Sequence, residues 1–554
     1  MIQIFKNKIH RFRFFIVRRI LRGHSNFKIN DGLKRINILN EKLTSERCIS
    51  NGKYSPLIFG AAVDHAELTV RQFLLEILAG PRLSKSILFF SGVKRPAIFY
   101  PIPQNWRKVI ERYDFCVAKF ESSLLWLLFV LGSLLRGYVG VASCVLETFR
   151  ALVRGSRSPL GRYVFFHGLS PNNLPSGSES GASREIITWY LRWPGRPENL
   201  NLICHTVSRS TVERAQDVRL RCVRSFLPPP NTIGGILRFY GWSISASLLA
   251  TFDLFRGRWW HSVMLNEAVK AAIVRASKPN QLALDYLFHN SAYIYRPLWT
   301  YETESRGSRV ILYFYSTNCQ GLRRQGYDQA RTFYGYKAMS WPFFLVWDKY
   351  QADFISNVAI NRPRIEVVGS IPFSSNGQVL SKIPNRTIAV FDVQPVRNIL
   401  YKSLGIEFDY YTPEVANQFL CDVYELLMAH HYNMALKRKR NIGKLIHPSY
   451  RRILEELDTS SSFISISSEI DASSLIDKSL AVISAPYTST ALIARERNIP
   501  SVYYDASGLL ERNDPAAHGI LLIQGKQKLA KWLQQIRFSN QEAKSNNSLR
   551  LFLD

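Results

Sequence analysis

Leu480-Ala481-Val482-Ile483-Ser484-Ala485-Pro486-Tyr487-Thr488-Ser489-Thr490-Ala491-Leu492-Ile493-Ala494 is the stretch from which the fold can be read. Leu480–Ser484 is near-continuously apolar, as a strand buried on both faces of a parallel sheet requires. Pro486 turns the chain, and Thr488, Ser489 and Thr490 open an amphipathic helix. A strand running through a tight turn into a helix is half of a βαβ unit. The first N–H groups and the positive end of such a helix point past the strand end, and three hydroxyls add donors. The turn can therefore receive a phosphate or carboxylate without a glycine-rich loop. The alternative is plain helix capping by Thr488 or Ser489.

Similar runs recur outward from this one: Tyr163–His167, Leu200–His205, Val310–Tyr315, Ile365–Val368, Thr387–Val393, Phe463–Ser467, Ser501–Tyr504 and Ile520–Gln524. Helical patterns lie between them. One is Val415–His430, with Thr412 as N-cap and Pro413 at the first helical position. The alternation predicts an α/β fold with doubly wound parallel sheets. Gly369–Arg386 is rich in Gly, Ser, Pro and Asn and divides the pattern in two. The expected domains are a mainly helical, membrane-associating region over 1–157, an α/β unit over 158–370, a linker over 371–386, a second α/β unit over 387–540 and a loose tail over 541–554. The first region has few strand signals besides Ile87–Phe90. Two such units leave a cleft, and ligands of open α/β sheets sit outside the carboxyl ends of the strands.

The 554 residues carry 72 Lys and Arg against 42 Asp and Glu, a net charge of +30, with 46% hydrophobic residues. That is ample for packed cores and excludes a mostly disordered chain. The charge calls for a polyanion: nucleic acid, an anionic membrane or a phosphorylated substrate. Seven cysteines with no C-x-x-C and no zinc-like His spacing read as scattered reduced thiols of a cytosolic protein. The first thirty residues contain no acid and alternate basic with apolar side chains (Lys6, Arg11, Arg18, Arg19 among Phe5, Phe12, Phe15, Ile16). They suit an amphipathic helix on an anionic membrane surface. The apolar runs Ser122–Leu135, continued by Gly137–Leu146 beyond Arg136, and Phe239–Phe252 are each shorter than the ~20 residues of a membrane span. They are expected as interfacial or buried helices of a peripheral protein.

Three further segments carry chemistry. Leu436–Arg452 holds seven basic residues and no acid, with Lys437, Lys439 and Arg440 beside His447-Pro448. It is a candidate phosphate-binding run or a solvated basic loop. No recognisable nucleic-acid module accompanies it. Tyr295–Arg306 places Glu302 and Glu304 among aromatics, where one carboxylate could serve as base for a sugar hydroxyl. If the segment is helical, only one faces the cleft, and pairing with Arg306 and Arg309 is the competing reading. Val390-Phe391-Asp392-Val393-Gln394-Pro395 is the first strand and turn of the second unit. It sets Asp392 and Gln394 at the cleft mouth unless Asp392 merely caps the turn. There is no Walker A loop, no dinucleotide fingerprint and no Asp-x-Asp to hold a metal against a sugar diphosphate. A metal-independent reaction and no cofactor are expected.

Ala485–Ala494, followed by Ile499-Pro500-Ser501-Val502-Tyr503-Tyr504-Asp505, resembles the bacterial surface-polysaccharide biosynthesis proteins named for a Pro-Phe-Thr-Ser motif. Here Tyr487 stands in place of the family's Phe. Tyr295–Glu304, Val310–Asn318, Trp347-Asp348-Lys349-Tyr350-Gln351 and Val390–Pro395 also look like that family, so the resemblance covers Tyr163 to Gln524. More distantly, the second half is similar to glycosyltransferases of the two-domain, GT-B type. His447-Pro448, followed some forty residues later by a strand and a hydroxyl cluster, is similar to enzymes using CMP-activated nonulosonic acids. That resemblance implies that His447, Pro448, Thr488, Ser489 and Thr490 bind the donor phosphate. The acid motif typical of those enzymes is not present, which leaves the base open.

The expectation is therefore two Rossmann-like domains facing a cleft, with a helical region before them, acting as a metal-independent glycosyltransferase of capsule or O-antigen biosynthesis. A nucleotide-sugar donor, CMP-linked by resemblance, would meet an oligosaccharide or lipid-linked glycan at the cytoplasmic face of the inner membrane. The competing class is a non-catalytic membrane-associated scaffold or export partner. Nucleic acid is not expected as a partner.

Overall fold

The computed structural model describes residues 36–536, apart from 37, 50–51, 81, 85, 87–96, 155–161, 176–184, 209–212, 224, 226, 228, 231, 318, 322, 327–334, 373–379, 397–409 and 439–442. The expected basic helix at the N-terminus, the expected strand at 87–90 and the tail over 541–554 lie outside the described residues, as does the middle of the expected linker.

The first unit is built on an eight-stranded sheet of order β10-β9-β8-β7-β3-β4-β6-β5. Its strands are β3 (Tyr163–Phe166), β4 (Leu202–His205), β5 (Arg214–Ala215), β6 (Val218–Cys222), β7 (Asp285–His289), β8 (Arg309–Tyr313), β9 (Phe343–Val346) and β10 (Arg364–Val367). All neighbours are parallel except the β5–β6 hairpin. The second sheet is entirely parallel, of order β13-β12-β11-β14-β15-β16. It comprises β11 (Thr387–Phe391), β12 (Asn433–Lys437), β13 (Phe463–Ile466), β14 (Ala481–Ser484), β15 (Ser501–Asp505) and β16 (Leu521–Gln524). Its central strands alternate between two cores. Ile388 and Val390 of β11 pack among Phe419, Tyr450 and Leu529 on one face, and Ala389 and Phe391 pack with Leu475 and Ile476 on the other. This is the doubly wound α/β architecture that the apolar runs predict.

Helices supply the layers: α1 (Ala66–Leu78), α2 (Gln104–Arg112), α3 (Lys119–Arg154), α4 (Ile186–Arg192), α5 (Ile233–Phe255), α6 (Trp259–Ala276), α7 (Leu298–Ser305), α8 (Lys349–Val358), α9 (Pro413–Ala429), α10 (Pro448–Leu457), α11 (Ala472–Ile476) and α12 (Ser489–Glu496). The hydroxyl of Thr412 accepts from Val415 N, the expected cap of α9, with Pro413 at its start. Among the described residues before β3, the regular structure is helical apart from the two-residue pair β1 (Ala97–Ile98) and β2 (Cys116–Val117). This region shares one continuous core with the first sheet. Trp242 and Trp260 donate to the carbonyls of Leu57 and Lys53, and His261, held by buried Asp253 at 2.7 Å, accepts from Ser55 N.

One expectation needs correction. The two apolar runs around Arg136 are a single 36-residue helix, α3, and Lys119–Ala151 is long and apolar enough to cross a membrane by length and composition. Arg136 does not interrupt it, because one arginine is a good helix former and its side chain lies exposed. The second run lies within the 23 residues of α5.

The candidate active site

The carboxyl ends of the two sheets approach one another. Ser489 Oγ, from the turn after β14, lies 3.4 Å from both N and Oγ1 of Thr317, which follows β8. To one side the halves are latched. Asp348, after β9, receives His518 Nδ1 at 2.9 Å on both oxygens and has Arg495 at 3.5 Å. Burial alone would raise the Asp348 carboxyl, but the hydrogen bond and charge of His518 hold it below the usual range. Arg323 N donates to Asp514 at 3.0 Å, and Arg324 pairs with Leu510 as an antiparallel bridge. Tyr487, at φ 61° and nearly buried, donates its phenol to Asp514 Oδ2 at 3.3 Å. A phenylalanine at that position would lack this contact.

The rim of the second sheet carries most of the predicted donor site. In register, β14 lies beside β11 and β11 beside β12, so the turns after them share one edge within about 10 Å. After β11, Asp392 is 4% exposed. Tyr450 donates to its Oδ2, while Oδ1 has no hydrogen-bond partner among the described residues. Burial pushes this carboxyl up to about 7, against the pull of Arg438. Gln394 is also buried, and its Nε2 is unpartnered. Such orphans are rare in folded proteins, and each calls for an explanation. Asp392 also lines a cavity walled by Tyr410, Tyr411, Phe419, Pro486 and Tyr504. Tyr411 closes one side by donating to Pro486 O at 2.8 Å, and Tyr410 is fixed by Asp505 at 2.9 Å.

His447 joins this edge because its N–H donates to Pro395 O at 2.9 Å and Ile446 bridges Val396. Its Nδ1 accepts from Ser449 N and lies 2.7 Å from Ser449 Oγ, so the imidazole caps α10, where Pro448 is the first residue. Asn417 Nδ2 donates to the same Ser449 Oγ, and its own Oδ1 is unpartnered. Thr488 occupies the N-cap position of α12 but makes no side-chain cap bond. Its hydroxyl donates to Ala485 O at 2.9 Å, and Thr490 Oγ1 lies 2.9 Å from Ser484 Oγ. The plain capping alternative therefore does not describe Thr488.

Other predicted residues are placed elsewhere. Lys437 shares the register of Phe391, so it points to the sheet face opposite Asp392, and its amine donates to Ser468 O at 3.3 Å. It is not aimed at the Thr488 turn. Lys439 and Arg440 lie outside the described residues. Glu302 and Glu304 do not face the cleft. Helix α7 descends from the end of β7 to the start of β8, so its last turn lies at the far end of the sheet. There Glu302 accepts from Ala61 N at 3.0 Å and pairs with Arg275 at 3.4 Å. Glu304 pairs with buried Arg296, whose guanidinium stacks 3.7 Å from the Tyr301 ring centre. Glu302 thus ties the helical region to the first unit, and Glu304 ties α7 to the segment that leads into it. Their partners are Arg275 and Arg296, and not the Arg306 and Arg309 suggested by spacing.

What occupies the first rim instead is histidine. His167, His205 and His289 stand at the ends of β3, β4 and β7. Burial lowers all three. His167 is brought down to about 4 by burial, His289 and Lys270 together. His205 Nδ1 is engaged by Val207 N at 3.2 Å and His289 Nδ1 by Ser291 N at 3.3 Å, whereas His167 stacks on Phe288. Each ends an apolar run (Phe165-Phe166-His167, Ile203-Cys204-His205, Leu287-Phe288-His289). A polar residue closing a buried strand was the available signal. Among the described residues no group of three or more His, Cys, Asp or Glu could hold a metal ion.

The model of polysaccharide biosynthesis PFTS motif proteins matches residues 242–533, just over half of the chain. The chain belongs to that family. In this PFTS protein the matched region runs from α5 to the helix over 526–536; it contains the whole second rim and the β7–β10 part of the first, with His289, while His167 and His205 lie before it. No curated protein matches. Among solved structures, the PFTS chain is similar to wall teichoic acid polymerase TagF at 12% identity over 73% of this chain and 90% of that one, TM-score 0.35. It is similar to UDP-GlcNAc 2-epimerase from Methanocaldococcus jannaschii at 10% identity, covering 67% and 91%, TM-score 0.35. The pneumococcal O-GlcNAc transferase GtfA gives 11% identity and TM-score 0.29, covering 50% of this chain. The chain spans 54% of the length of that transferase.

Proposed function

We propose that this protein is a glycosyltransferase of bacterial surface polysaccharide biosynthesis, joining a nucleotide-activated sugar to an oligosaccharide or lipid-linked glycan in the cleft between the two sheets. The observation that carries the reading is the pair of buried, unpartnered groups, Asp392 Oδ1 and Gln394 Nε2, on one rim with the open start of α12. A nucleoside suits that rim. The tyrosine-walled cavity offers apolar contact to a base, and Asp392 and Gln394 offer an acceptor and a donor to ribose or base edges. The donor phosphate would meet the N–H groups of Ser489 and Thr490, the hydroxyl of Thr490, that of Thr488 once it turns from Ala485 O, and His447, whose Nδ1 is committed to Ser449 so that contact falls to Nε2. These groups would stabilise charge on the departing nucleotide without a metal.

The acceptor proton would pass to His167, which is neutral at physiological pH and so able to receive it. An anionic donor in the cleft would raise its basicity. The donor is proposed as CMP-linked, a nonulosonic acid by the His447-Pro448 resemblance, and the working site as the cytoplasmic face of the inner membrane. Capsule or O-antigen is the proposed product class.

The test is thermal denaturation with CMP, UMP, UDP, GDP and dTDP, each with and without EDTA. A ligand that binds only the folded state must raise the melting temperature by mass action. A rise with CMP that survives EDTA is the expected result. A rise with UDP or GDP alone would discard the CMP donor, a rise abolished by EDTA would discard metal independence, and no rise with any would discard nucleotide binding at this rim.

A further inference from the structure

The most exposed apolar surface among the described residues is not at the cleft. Helices α3 and α5 lie side by side and antiparallel on α6, since Tyr138 meets Thr251 and Tyr240 reaches Val145 O. Helix α6 is largely buried beneath them. Each outer helix turns a stripe of large aliphatic and aromatic side chains away from α6. On α3 it includes Leu124, Leu128, Leu131, Leu135 and Val139, at helical spacing and 39–65% exposed. On α5 it includes Ile233, Leu237, Ile244, Leu248, Phe252 and Phe255, at 54–85%. The α3 helix is roughly 54 Å long at 1.5 Å per residue. Soluble monomers rarely leave so long a contiguous apolar face to water.

We infer that this α3–α5 face is a monotopic docking surface that beds into the headgroup and outer acyl layer of an anionic membrane. The inference rests on the membrane placement proposed above and names the surface that would achieve it. Three observations select a bilayer as the occupant. First, the exposed charges on the two helices are mostly basic: Lys119, Arg136, Arg150, Arg238 and Arg256 against Glu121 and Glu147. Long basic side chains beside an apolar stripe reach anionic headgroups while the stripe enters the acyl boundary. Secondly, a second copy of the chain would set those cations against their own image in a two-fold interface, which is unfavourable. Thirdly, α3 cannot leave the fold to span alone. Trp126 packs edge-on against Trp259 at 4.9 Å, Cα of Gly137 lies close over Leu265, and that of Gly140 over Asn266. One side of the helix is thus covered by protein along most of its length, and only the other is available to lipid. A crossing helix would expose apolar side chains all round.

The experiment is flotation of the full chain with vesicles of phosphatidylcholine alone and with 30 mol% phosphatidylglycerol, about the anionic content at which basic surfaces bind strongly. It compares the wild type, L128E/L135E on α3, I244E/L248E on α5, and L521E at an exposed apolar site of the second sheet as a control. All five sites are solvent-exposed, so the fold is expected to survive, and an unchanged melting temperature verifies it. Wild type and L521E should float with anionic vesicles, and each stripe variant should lose at least tenfold in partition coefficient while keeping its nucleotide-induced thermal shift. Equal flotation of the stripe variants would overturn the inference and leave the binding to the basic residues before 36. Failure of the wild type to float would also overturn it, as would conversion of a dimer to a monomer by the same substitutions. A nucleotide shift that persists in these cases leaves the proposed function standing.

Discussion

Asp392 is both a cost to the fold and the proposed contact for the nucleoside, so one substitution should move stability and binding in opposite directions. Its carboxyl is buried, hydrogen-bonded on one oxygen only, and pushed up to about 7 from an ordinary value near 3.8. The folded state holds the proton that the unfolded state releases. The associated stability is therefore complete below pH 3.8, declines as pH rises through about 7, and is flat above. Three pH units correspond to roughly 4 kcal/mol at 1.36 kcal/mol each, an upper figure; relaxation around the site brings an expected effect of about 2–3 kcal/mol. Asp392→Asn keeps an acceptor for Tyr450 and removes the ionisation. At pH 8 the variant should melt several degrees above wild type, at about 2–4 °C per kcal/mol for a unit of this size. The gap should close toward pH 4. The same variant should lose most of the nucleotide-induced shift, because an amide presents a donor where a hydroxyl needs an acceptor, at about 1–3 kcal/mol or 10- to 100-fold in Kd. Calorimetry across pH 4–8, with and without nucleotide, reads both. A variant less stable than wild type at pH 8 would refute the burial argument. One that is stabilised yet binds nucleotide as well as wild type would refute the role assigned to Asp392.

Three further outcomes follow from the contacts. Asp348→Asn should weaken the latch between the sheets by about 1–3 kcal/mol at pH 7 and separate the melting of the two halves in calorimetry. Because its carboxyl is held below the usual range, that loss should fade as pH falls under about 3.8, where wild type loses the same interaction. Glu302→Gln should lower the melting temperature by leaving Arg275 poorly compensated. Its turnover in a transfer assay, like that of Glu304→Gln, should stay within a few-fold of wild type; a loss of 10³ or more in kcat would restore a catalytic role. His447→Ala and Thr490→Ala should each cut kcat/KM by about 10- to 10³-fold, as expected for donors to a departing phosphate, and His447→Ala should also lower the melting temperature by a few degrees because the α10 cap goes with it, at about 1 kcal/mol.

The parts of the fold legible in the sequence were those governed by short-range rules. Nine apolar runs became strands; in the central ones, such as β3, β11 and β14, every position is buried because a parallel strand covered on both faces needs each position apolar, whereas β10 and β13 are partly exposed edge strands. Seven strands escaped: β1, β2 and β5 are two residues each, β9 is a four-residue apolar run that was passed over, and β6, β7 and β12 carry mixed signals. Asn433–Lys437 reads Asn-Met-Ala-Leu-Lys, all but the first good helix formers, and is a strand because β11 and β13 flank it. Val218–Cys222 alternates arginine with apolar residues next to the two-residue edge strand β5, where one face stays wet. The gathering of residues on the second rim was readable for a related reason. Asp392, His447 and Thr488–Thr490 follow strand ends, and a doubly wound sheet gathers its strand ends on one edge.

Glu302 and Glu304 were misplaced because their direction depends on which end of the sheet α7 reaches, a matter of topology rather than of spacing. Two carboxylates among aromatics look like a reaction centre in sequence. In the fold each has an arginine, Arg275 from the preceding helix or Arg296 from eight residues upstream, and those partners mark the groups as structural. The converse holds for Asp392 and Gln394. Nothing in their local sequence separates a turn cap from a ligand contact, but the fold buries both and satisfies neither completely. A buried polar atom left without a partner costs about 1–3 kcal/mol, and a fold retains such a cost where something else supplies the missing bond. For the acidic residues of this chain, then, candidacy for chemistry is decided less by what lies beside them in sequence than by whether the folded protein has already answered their hydrogen-bonding demand.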